Sequence, residues 1–147
     1  MELRIPPSVK REHEELHHQL KTVIGTGGKT GEMAGRVERL LHPHFEKEEE
    51  YALPPLGILP DLAKGIISPE MAAVVPLTDR LKADLPRMIA EHRQVVEALN
   101  ELAVAARHEG KEEGVQFAQK LQLHASGEEE VTYPAAILVG EYLRRVL

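Results

Sequence analysis

The sequence predicts an all-α domain, built as an up-down-up-down four-helix bundle with a short additional C-terminal helix. Apolar residues recur at the spacing of one helix face along four long segments, and no segment alternates convincingly with the period of a β-strand. Most of these segments are joined by short connections, which favours antiparallel neighbours in a bundle. The chain has 147 residues, of which 42% are hydrophobic, and we expect a single domain over residues 1–147.

Helix one begins with a favourable start signal at Pro6–Ser8 and is expected to end at about Gly25. The glycine-rich segment 25–31 that follows contains Gly-Lys-Thr, which also ends the phosphate-binding loop of many nucleotide-binding proteins. That motif needs an earlier glycine where this chain has Val23, and it follows a strand rather than a helix. A flexible connection between two helices is therefore the better interpretation.

Helix two is expected over residues 30–53, where an apolar stripe also carries a histidine and a glutamate. Pro43 should kink this helix, and the Pro54–Pro55 pair should end it. Scattered glycines and prolines over residues 56–75 indicate a connector that contains one or two helical turns.

Helix three is expected over residues 77–107, with Pro86 either bending it or splitting a short lead-in from the main helix. A turn at residues 108–110 leads into helix four, in which Gly127 is a weak point. After Pro134, a last short helix is expected to reach the C-terminus and to pack across one end of the bundle.

Charge and composition narrow the possible functions. The formal net charge is -6, from 24 acidic and 18 basic residues without a dense basic run, so nucleic acid and anionic membranes are not expected as partners. The absence of cysteine excludes disulfides, thiolate ligands, iron–sulfur clusters and a cysteine nucleophile. The N-terminal residues lack the apolar core of a signal peptide, and no run approaches the roughly 20 apolar residues of a membrane span, so we expect a cytoplasmic protein.

An internal repeat places histidine and glutamate twice on apolar helix faces. A Glu-His pair occurs in helix one at 12–13 and again in helix three at 91–92. A His-x-x-x-Glu pair, with both side chains on one helix face, occurs in helix two at 44–48 and again in helix four at 124–128. In a bundle, the residues that would meet near one central point are His13, His44, Glu48, His92, His124 and Glu128.

A bound cation is the simplest reason for so many inward-facing ionisable groups. Burying them without a partner would cost several kcal/mol each, which is more than a domain of this size tolerates. Imidazole and carboxylate ligands together suit iron, manganese or zinc. Two carboxylates among four or more histidines suit a pair of ions that the carboxylates bridge.

The ordered pattern resembles the hemerythrin-like, or HHE cation-binding, domain family. The signature of that family is a histidine in helix one, His-x-x-x-Glu, a histidine in helix three and a second His-x-x-x-Glu, and the resemblance covers nearly the whole chain. It implies a four-helix bundle that holds two non-haem iron ions bridged by two carboxylates. The metal ligands that it implies here are His13, His44, Glu48, His92, His124 and Glu128.

The chain departs from the oxygen-carrying hemerythrins at two positions. Those proteins have a fifth histidine one turn further along helix three, where this chain has Val96. The equivalent position in helix one is His17, four residues from His13, so His17 is predicted either as a further metal ligand or as a residue that lines the site. The second carboxylate is Glu128 at i+4 rather than an aspartate at i+5, which argues against oxygen transport itself.

Other polar residues border the predicted site. Glu49 and Glu129 lie at the edges of the apolar stripes and are the alternative bridging carboxylates. Tyr51, one turn beyond Glu48, is predicted to pack at the end of the bundle, with a hydrogen bond to a bound ligand as the alternative. His18 and His42 lie off the stripes and His108 lies in a turn, so all three are predicted on the surface.

The resemblance implies a protein that binds or senses a small ligand such as O2, NO or peroxide at an open position on one iron. The alternatives are a di-iron enzyme, either a peroxidase or oxidase or an iron donor for cluster repair, and an iron store. An enzyme needs a source of electrons, and the sequence shows no flavin, haem or cysteine element that would supply them. A bundle that only docks a partner would leave the paired motifs unexplained.

Overall fold

The computed structural model describes residues 2–147, and all regular secondary structure in this range is helical, which confirms the predicted class. The α-helices are α1 (Pro7–Gly25), α2 (Gly28–Lys47), α3 (Leu59–Ala63), α4 (Val75–His108), α5 (Glu112–Gly127) and α6 (Tyr133–Val146). The π-helical turns are Glu48–Ala52 and Glu128–Thr132, and the 3-10 turns of the connector are Pro54–Ile58 and Pro69–Val74. None of the helices in this range has both the length and the apolar character that a membrane span needs.

The long helices pack as an antiparallel bundle. Arg36 of α2 pairs with Glu101 of α4. Arg80, earlier in α4, pairs with Glu50, just beyond α2, so residue numbers rise along one helix as they fall along the other. Helix α4 also packs against α5 and α6, and α1 packs against both α2 and α5, which closes the ring. This order of neighbours is the one that an up-down-up-down bundle requires.

Two prolines account for the π-helical turns. Pro54 and Pro134 have no N–H for the carbonyl four residues earlier, and in an α-helix each ring would collide with that carbonyl. The backbone instead bonds over five residues, because the Leu53 N–H donates to the Glu48 carbonyl at 2.8 Å and the same bond recurs at Tyr133. Leu53 and Tyr133 therefore each lie one helical turn beyond the glutamate that begins the π turn, Glu48 or Glu128.

Helix α6 extends the fourth long helix and does not form a separate element across one end of the bundle. The helical chain is continuous over residues 112–146, because the π turn accommodates the missing N–H of Pro134. Helix α6 packs on α4 so closely that a Cβ atom at Gly140 would collide with the side chain of Thr78. Helix α4 likewise runs through Pro86 without being split.

A layer of polar side chains divides the interior into two apolar layers. The apolar layer nearer the turns that join α1 to α2 and α4 to α5 includes Leu16, Leu20, Leu41, Leu99 and Leu121. The other apolar layer includes Tyr51, Leu53, Leu81, Met88 and Tyr133. The buried histidines and glutamates fall between members of the two layers along each long helix, so they are shielded from both ends of the bundle.

The glycine-rich connection between α1 and α2 is shorter than expected, since Lys29 and Thr30 already lie in the first turn of α2. Their backbone N–H groups donate to the Glu109 carboxylate at 3.0 and 2.8 Å. Together with a bond from the Thr30 hydroxyl, which has the largest effect, they lower the pKa of Glu109 to about 2. A carboxylate of the chain thus occupies the helix N-terminus, where a nucleotide-binding loop would hold phosphate.

Candidate metal centre

Histidine and glutamate side chains meet in the polar layer in two groups. The first group consists of His44, Glu48, His92 and Glu128, and the second consists of His13, His124 and Glu128. Within each group, one ligand atom from each residue lies within 4.8 Å of all the others. All of these side chains are buried except that of His124, which is 11% exposed. The donors are nitrogen and oxygen atoms, which suit a first-row metal ion.

Tyr133 reaches into the first group. Its hydroxyl oxygen lies 2.8 Å from Glu48 Oε2, 3.1 Å from His44 Nε2, 3.2 Å from His92 Nε2 and 3.5 Å from Glu128 Oε1. The ring of Tyr133 is fully buried and stacks on the imidazole of His92, with 5.6 Å between the ring centroids. We call these five residues the tyrosine half-site.

The second group lies beside a surface groove, and we call it the groove half-site: His13, His124 and Glu128. Glu48 Oε1 borders it. The Oε2 atom of Glu128 is 3.2 Å from His124 Nε2 and 3.6 Å from His13 Nε2. The Oε1 atom of Glu48 is 4.0 Å from His13 Nε2. Glu128 therefore turns one oxygen towards each half-site, as a carboxylate that bridges two ions must. Glu48 Oε1 lies between the half-sites, since it is also 3.6 Å from His44 Nε2.

Unpaired buried atoms show that the residues fit a bound cation. The buried side-chain atoms without a hydrogen-bond partner among residues 2–147 are His13 Nδ1, His13 Nε2, His124 Nε2, Glu48 Oε1 and Glu128 Oε2. Three of them, His13 Nε2, His124 Nε2 and Glu128 Oε2, face the groove half-site, and Glu48 Oε1 lies between the two half-sites. The corresponding atoms of the tyrosine half-site contact the Tyr133 hydroxyl. Each unpaired atom costs about 1–3 kcal/mol. A cation bound to these atoms would remove that cost.

Outer carboxylates hold the two histidines of the tyrosine half-site. Glu91 Oε1 lies 2.8 Å from His44 Nδ1, and Glu129 Oε2 lies 3.1 Å from His92 Nδ1. Because an ionised carboxylate can only accept, each Nδ1 carries the imidazole proton in these bonds. In the neutral rings, the lone pair of Nε2 is left to face the centre of the site, which is the tautomer that binds a metal.

The groove half-site repeats this arrangement less completely. Glu12 bonds to His124 Nδ1, as Glu91 does to the matching histidine of the other half. Glu49 Oε1, however, is 3.9 Å from His13 Nδ1, which is too long for a hydrogen bond. His13 is instead covered by Phe45, whose ring stacks on the imidazole with 4.2 Å between the centroids.

Burial and charge shift the central acids in different directions. Burial, followed by the charge of Glu128, raises the pKa of Glu48 well above its usual range. Burial acts on Glu128 in the same sense, but the neighbouring Glu48, His124 and other histidines lower the pKa of Glu128 well below the usual value. Burial, then the charges of Glu48 and Glu128, raises the pKa of Tyr133. Negative charge therefore concentrates on Glu128, the carboxylate that both groups share.

The histidines respond to the same surroundings. Burial lowers the pKa of His44, although its bond to Glu91 opposes that effect, so burial favours the neutral ring. Burial also works against protonation of His92 and His124, but the adjacent Glu128 carboxylate raises the pKa of both. A cation bound to Glu128 would offset the negative charge of that carboxylate, which is the charge that favours protonation of His92 and His124.

The two half-sites differ in their covering. Lys47 Nζ lies 2.6 Å from Glu91 Oε2, and this ion pair covers the outer side of the tyrosine half-site. The matching position in the second half of the chain is Gly127, which borders a groove of about 460 Å³. His124 and Glu128 also line this groove, so it leads from the surface to the groove half-site.

The structure brings together six of the seven residues predicted as metal ligands: His13, His44, Glu48, His92, His124 and Glu128. His17 does not join them. The buried residues of α1 include His13, Leu16 and Leu20, spaced three and four apart, and position 17 falls outside this seam. His17 is exposed and lines a cavity of about 260 Å³ beside His13.

The other polar residues near the site do not reach the ligand atoms. Tyr51 is buried, but its hydroxyl donates to Asp84 Oδ2 at 2.6 Å, in keeping with the predicted packing role. Glu49 and Glu129 approach Nδ1 atoms on the outside of the site and are not placed to bridge ions there. The histidines predicted on the surface are exposed there: His18, His42 and His108.

Sequence reasoning does not assign a role to Tyr133, Glu12 or Glu91. The repeat gives no signal for Tyr133, because its counterpart is Leu53, and α-helical spacing does not place a residue five positions on beside the ligand. Only the π turn does so. The two glutamates do leave a signal, since they occupy matching positions of the repeat and each directly precedes a predicted histidine ligand.

Comparison with known families agrees with this geometry. A family model for the hemerythrin HHE cation binding domain matches residues 7–136. Comparison with curated proteins and with solved structures gives no match. The matched region contains all six of the histidines and glutamates that converge in the polar layer. The chain therefore belongs to the hemerythrin HHE cation-binding domain family.

Proposed function

We propose that the protein binds two iron ions, one in each half-site, and that a small ligand such as O2, NO or peroxide binds at the ion of the groove half-site. The observation that carries the proposal is the set of unpaired buried nitrogen and oxygen atoms facing the groove half-site. Membership of a cation-binding family supports the metal, and the nitrogen and oxygen donors suit iron, with manganese or zinc as alternatives.

The groove favours the side of His13 and His124 for the small ligand. These two histidines and Glu128 offer three donors, and Glu48 Oε1 lies near them, which leaves room for a further ligand on an ion that prefers five or six. The groove gives such a ligand access, and Leu123 is an apolar residue in its wall. When bound, the iron pair would supply reversible binding of the small molecule, and the outer carboxylates would hold the imidazoles in place.

Metal analysis tests the first half of the proposal. Protein purified without added metal should contain two iron ions per chain. Removal of iron by a chelator should lower Tm, because a ligand bound only to the native state stabilises it by about 2.7 kcal/mol at a hundred times its Kd. Manganese or zinc at the same stoichiometry would revise the metal and keep the site, and protein without any metal would contradict the proposal.

Ligand binding tests the second half. Addition of NO or air to the iron(II) protein should change the visible spectrum, and Gly127→Leu should slow that change about tenfold by narrowing the groove. A Cβ atom at Gly127 meets no other atom within 4 Å, so the larger side chain has space beside the backbone. Gly35→Leu, in helix α2 and away from the groove, is the matched control.

The outcomes separate binding from turnover. If the iron protein consumes peroxide catalytically when a reductant is added, the enzymatic alternative replaces the binding function. If Gly127→Leu and Gly35→Leu react at the wild-type rate, the groove is not the route by which the ligand reaches the site.

A further inference from the structure

The hydroxyl of Tyr133 lies where four metal-binding atoms converge. Two imidazole nitrogens, from His44 and His92, and two carboxylate oxygens, from Glu48 and Glu128, surround it at 2.8 to 3.5 Å. A cation shared by these four atoms would therefore lie within direct reach of the phenolic oxygen.

The phenol can donate only one hydrogen bond among the four atoms that surround it. The outer carboxylates Glu91 and Glu129 accept from the Nδ1 atoms of His44 and His92, so in the neutral rings both Nε2 atoms are acceptors. The phenol has one proton to share among these two nitrogens and two carboxylate oxygens. A cation at this point would satisfy all four acceptors and the phenolic oxygen together.

Packing keeps the phenol beside the site. Tyr133 has no exposed surface, its ring stacks on His92, and its neighbours in the apolar layer include Leu53 and Met88. A cation cannot push this ring into solvent without disrupting that layer. Tyr51 provides the contrast, since it is equally buried but directs its hydroxyl to Asp84, outside the site.

We propose that Tyr133 Oη is the fifth protein ligand of the ion in the tyrosine half-site, so that the two ions of the centre are chemically unequal. This inference rests on the proposed binding of two iron ions. The phenolic proton is released to solvent when the oxygen binds. The first half of the chain has Leu53 at the matching position, so the groove half-site receives no corresponding oxygen.

Spectroscopy of the iron(III)-loaded protein tests the inference, because a phenolate bound to iron(III) gives an intense visible charge-transfer band and enhanced tyrosine ring vibrations in the resonance Raman spectrum. Wild type and the control Tyr51→Phe should both show the band. Tyr133→Phe should lose it, while its measured iron content stays at two per chain and one of the two irons binds about tenfold more weakly.

A second variant keeps the test decisive if Tyr133→Phe does not fold. The chain has three tyrosines, so the double variant Tyr51→Phe with Tyr142→Phe leaves Tyr133 as the only source of a phenolate signal. Persistence of the ring vibrations in that variant supports the assignment. Two bound irons without any phenolate signal, or an unchanged band in Tyr133→Phe, would overturn the inference alone. Wild-type protein that takes up no iron would overturn the proposed function as well.

Discussion

The tyrosine half-site and the groove half-site take their ligands from matching positions of an internal repeat, but the residues around those ligands differ. Tyr133 stands where the first half of the chain has Leu53, and Gly127 stands where it has Lys47. The tyrosine half-site therefore has an additional oxygen and an ion pair that covers it. The groove half-site has unpaired donor atoms and an opening to the surface.

A duplicated set of ligands therefore does not make two equal metal positions. The ligand spacing His-x-x-x-Glu is the same in both halves, and so is the π turn that begins at each glutamate. Gly127, just before Glu128, borders the groove that gives the groove half-site its access to the surface. Tyr133, five residues after Glu128, gives the tyrosine half-site its additional donor.

Removal of a carboxylate that both half-sites share should have the largest effect. Glu128→Gln takes away the negative charge that both histidine pairs contact, so both ions should bind at least about 100-fold more weakly, beyond the 10–100-fold typical of outer hydrogen-bond partners. Metal content after dialysis measures this loss. Glu130→Gln, at an exposed position two residues later, is the control. Two ions retained by Glu128→Gln would contradict the shared role.

Removal of one histidine should separate the half-sites. His124→Ala should lose the groove ion and keep the ion beside Tyr133, whereas His44→Ala should do the reverse. The ion that is left in His124→Ala is covered by Lys47 and Glu91. A chelator should therefore remove it at least about tenfold more slowly than it removes the groove ion left in His44→Ala, which corresponds to a difference of about 1.4 kcal/mol in the barrier. Equal rates of removal in the two variants would show that access does not distinguish the half-sites.

The outer carboxylates should have smaller effects, because they act through the histidines that they hold. Glu91→Gln and Glu12→Gln should each weaken binding of the nearer ion by about 10- to 100-fold. The larger loss is expected at Glu91, whose side chain is 25% exposed, against 52% for Glu12, since water screens the more exposed bond. Metal titration of both variants measures the difference, and a larger loss at Glu12 would reverse the ranking.

The smallest effect is expected far from the centre, where Glu109 accepts bonds at the start of α2. Its pKa in the folded protein is about 2, below the usual 4.5, so its contribution to stability is complete above about pH 4.5 and is lost as the pH falls towards 2. Glu109→Gln should lower Tm by about 2 °C at neutral pH, and this difference from wild type should disappear in that acidic range.

Metal content should not change in Glu109→Gln, because Glu109 contacts α2 at Lys29 and Thr30 and none of the metal-binding groups. Loss of metal from Glu109→Gln would contradict this prediction, because it would show that a change in the fold away from the ligands also weakens metal binding.

Helical periodicity was sufficient to predict the four long helices and the inward direction of the six convergent ligands, because a side chain's position around its own helix follows from spacing. The same spacing placed His17 close enough to the apolar face to be considered as a ligand. The seam of α1 passes through His13, Leu16 and Leu20 and leaves His17 outside, and only the packing of neighbouring helices sets the width of that seam.

Residue order alone fixes the helical character of the chain and its two copies of a histidine–glutamate set. The tertiary structure decided that His44 shares a half-site with His92, that His13 shares the other with His124, and that Tyr133 enters the first of them. These relations depend on the register between helices that are distant in sequence. They also depend on one π turn, which changes the direction of every side chain that follows it.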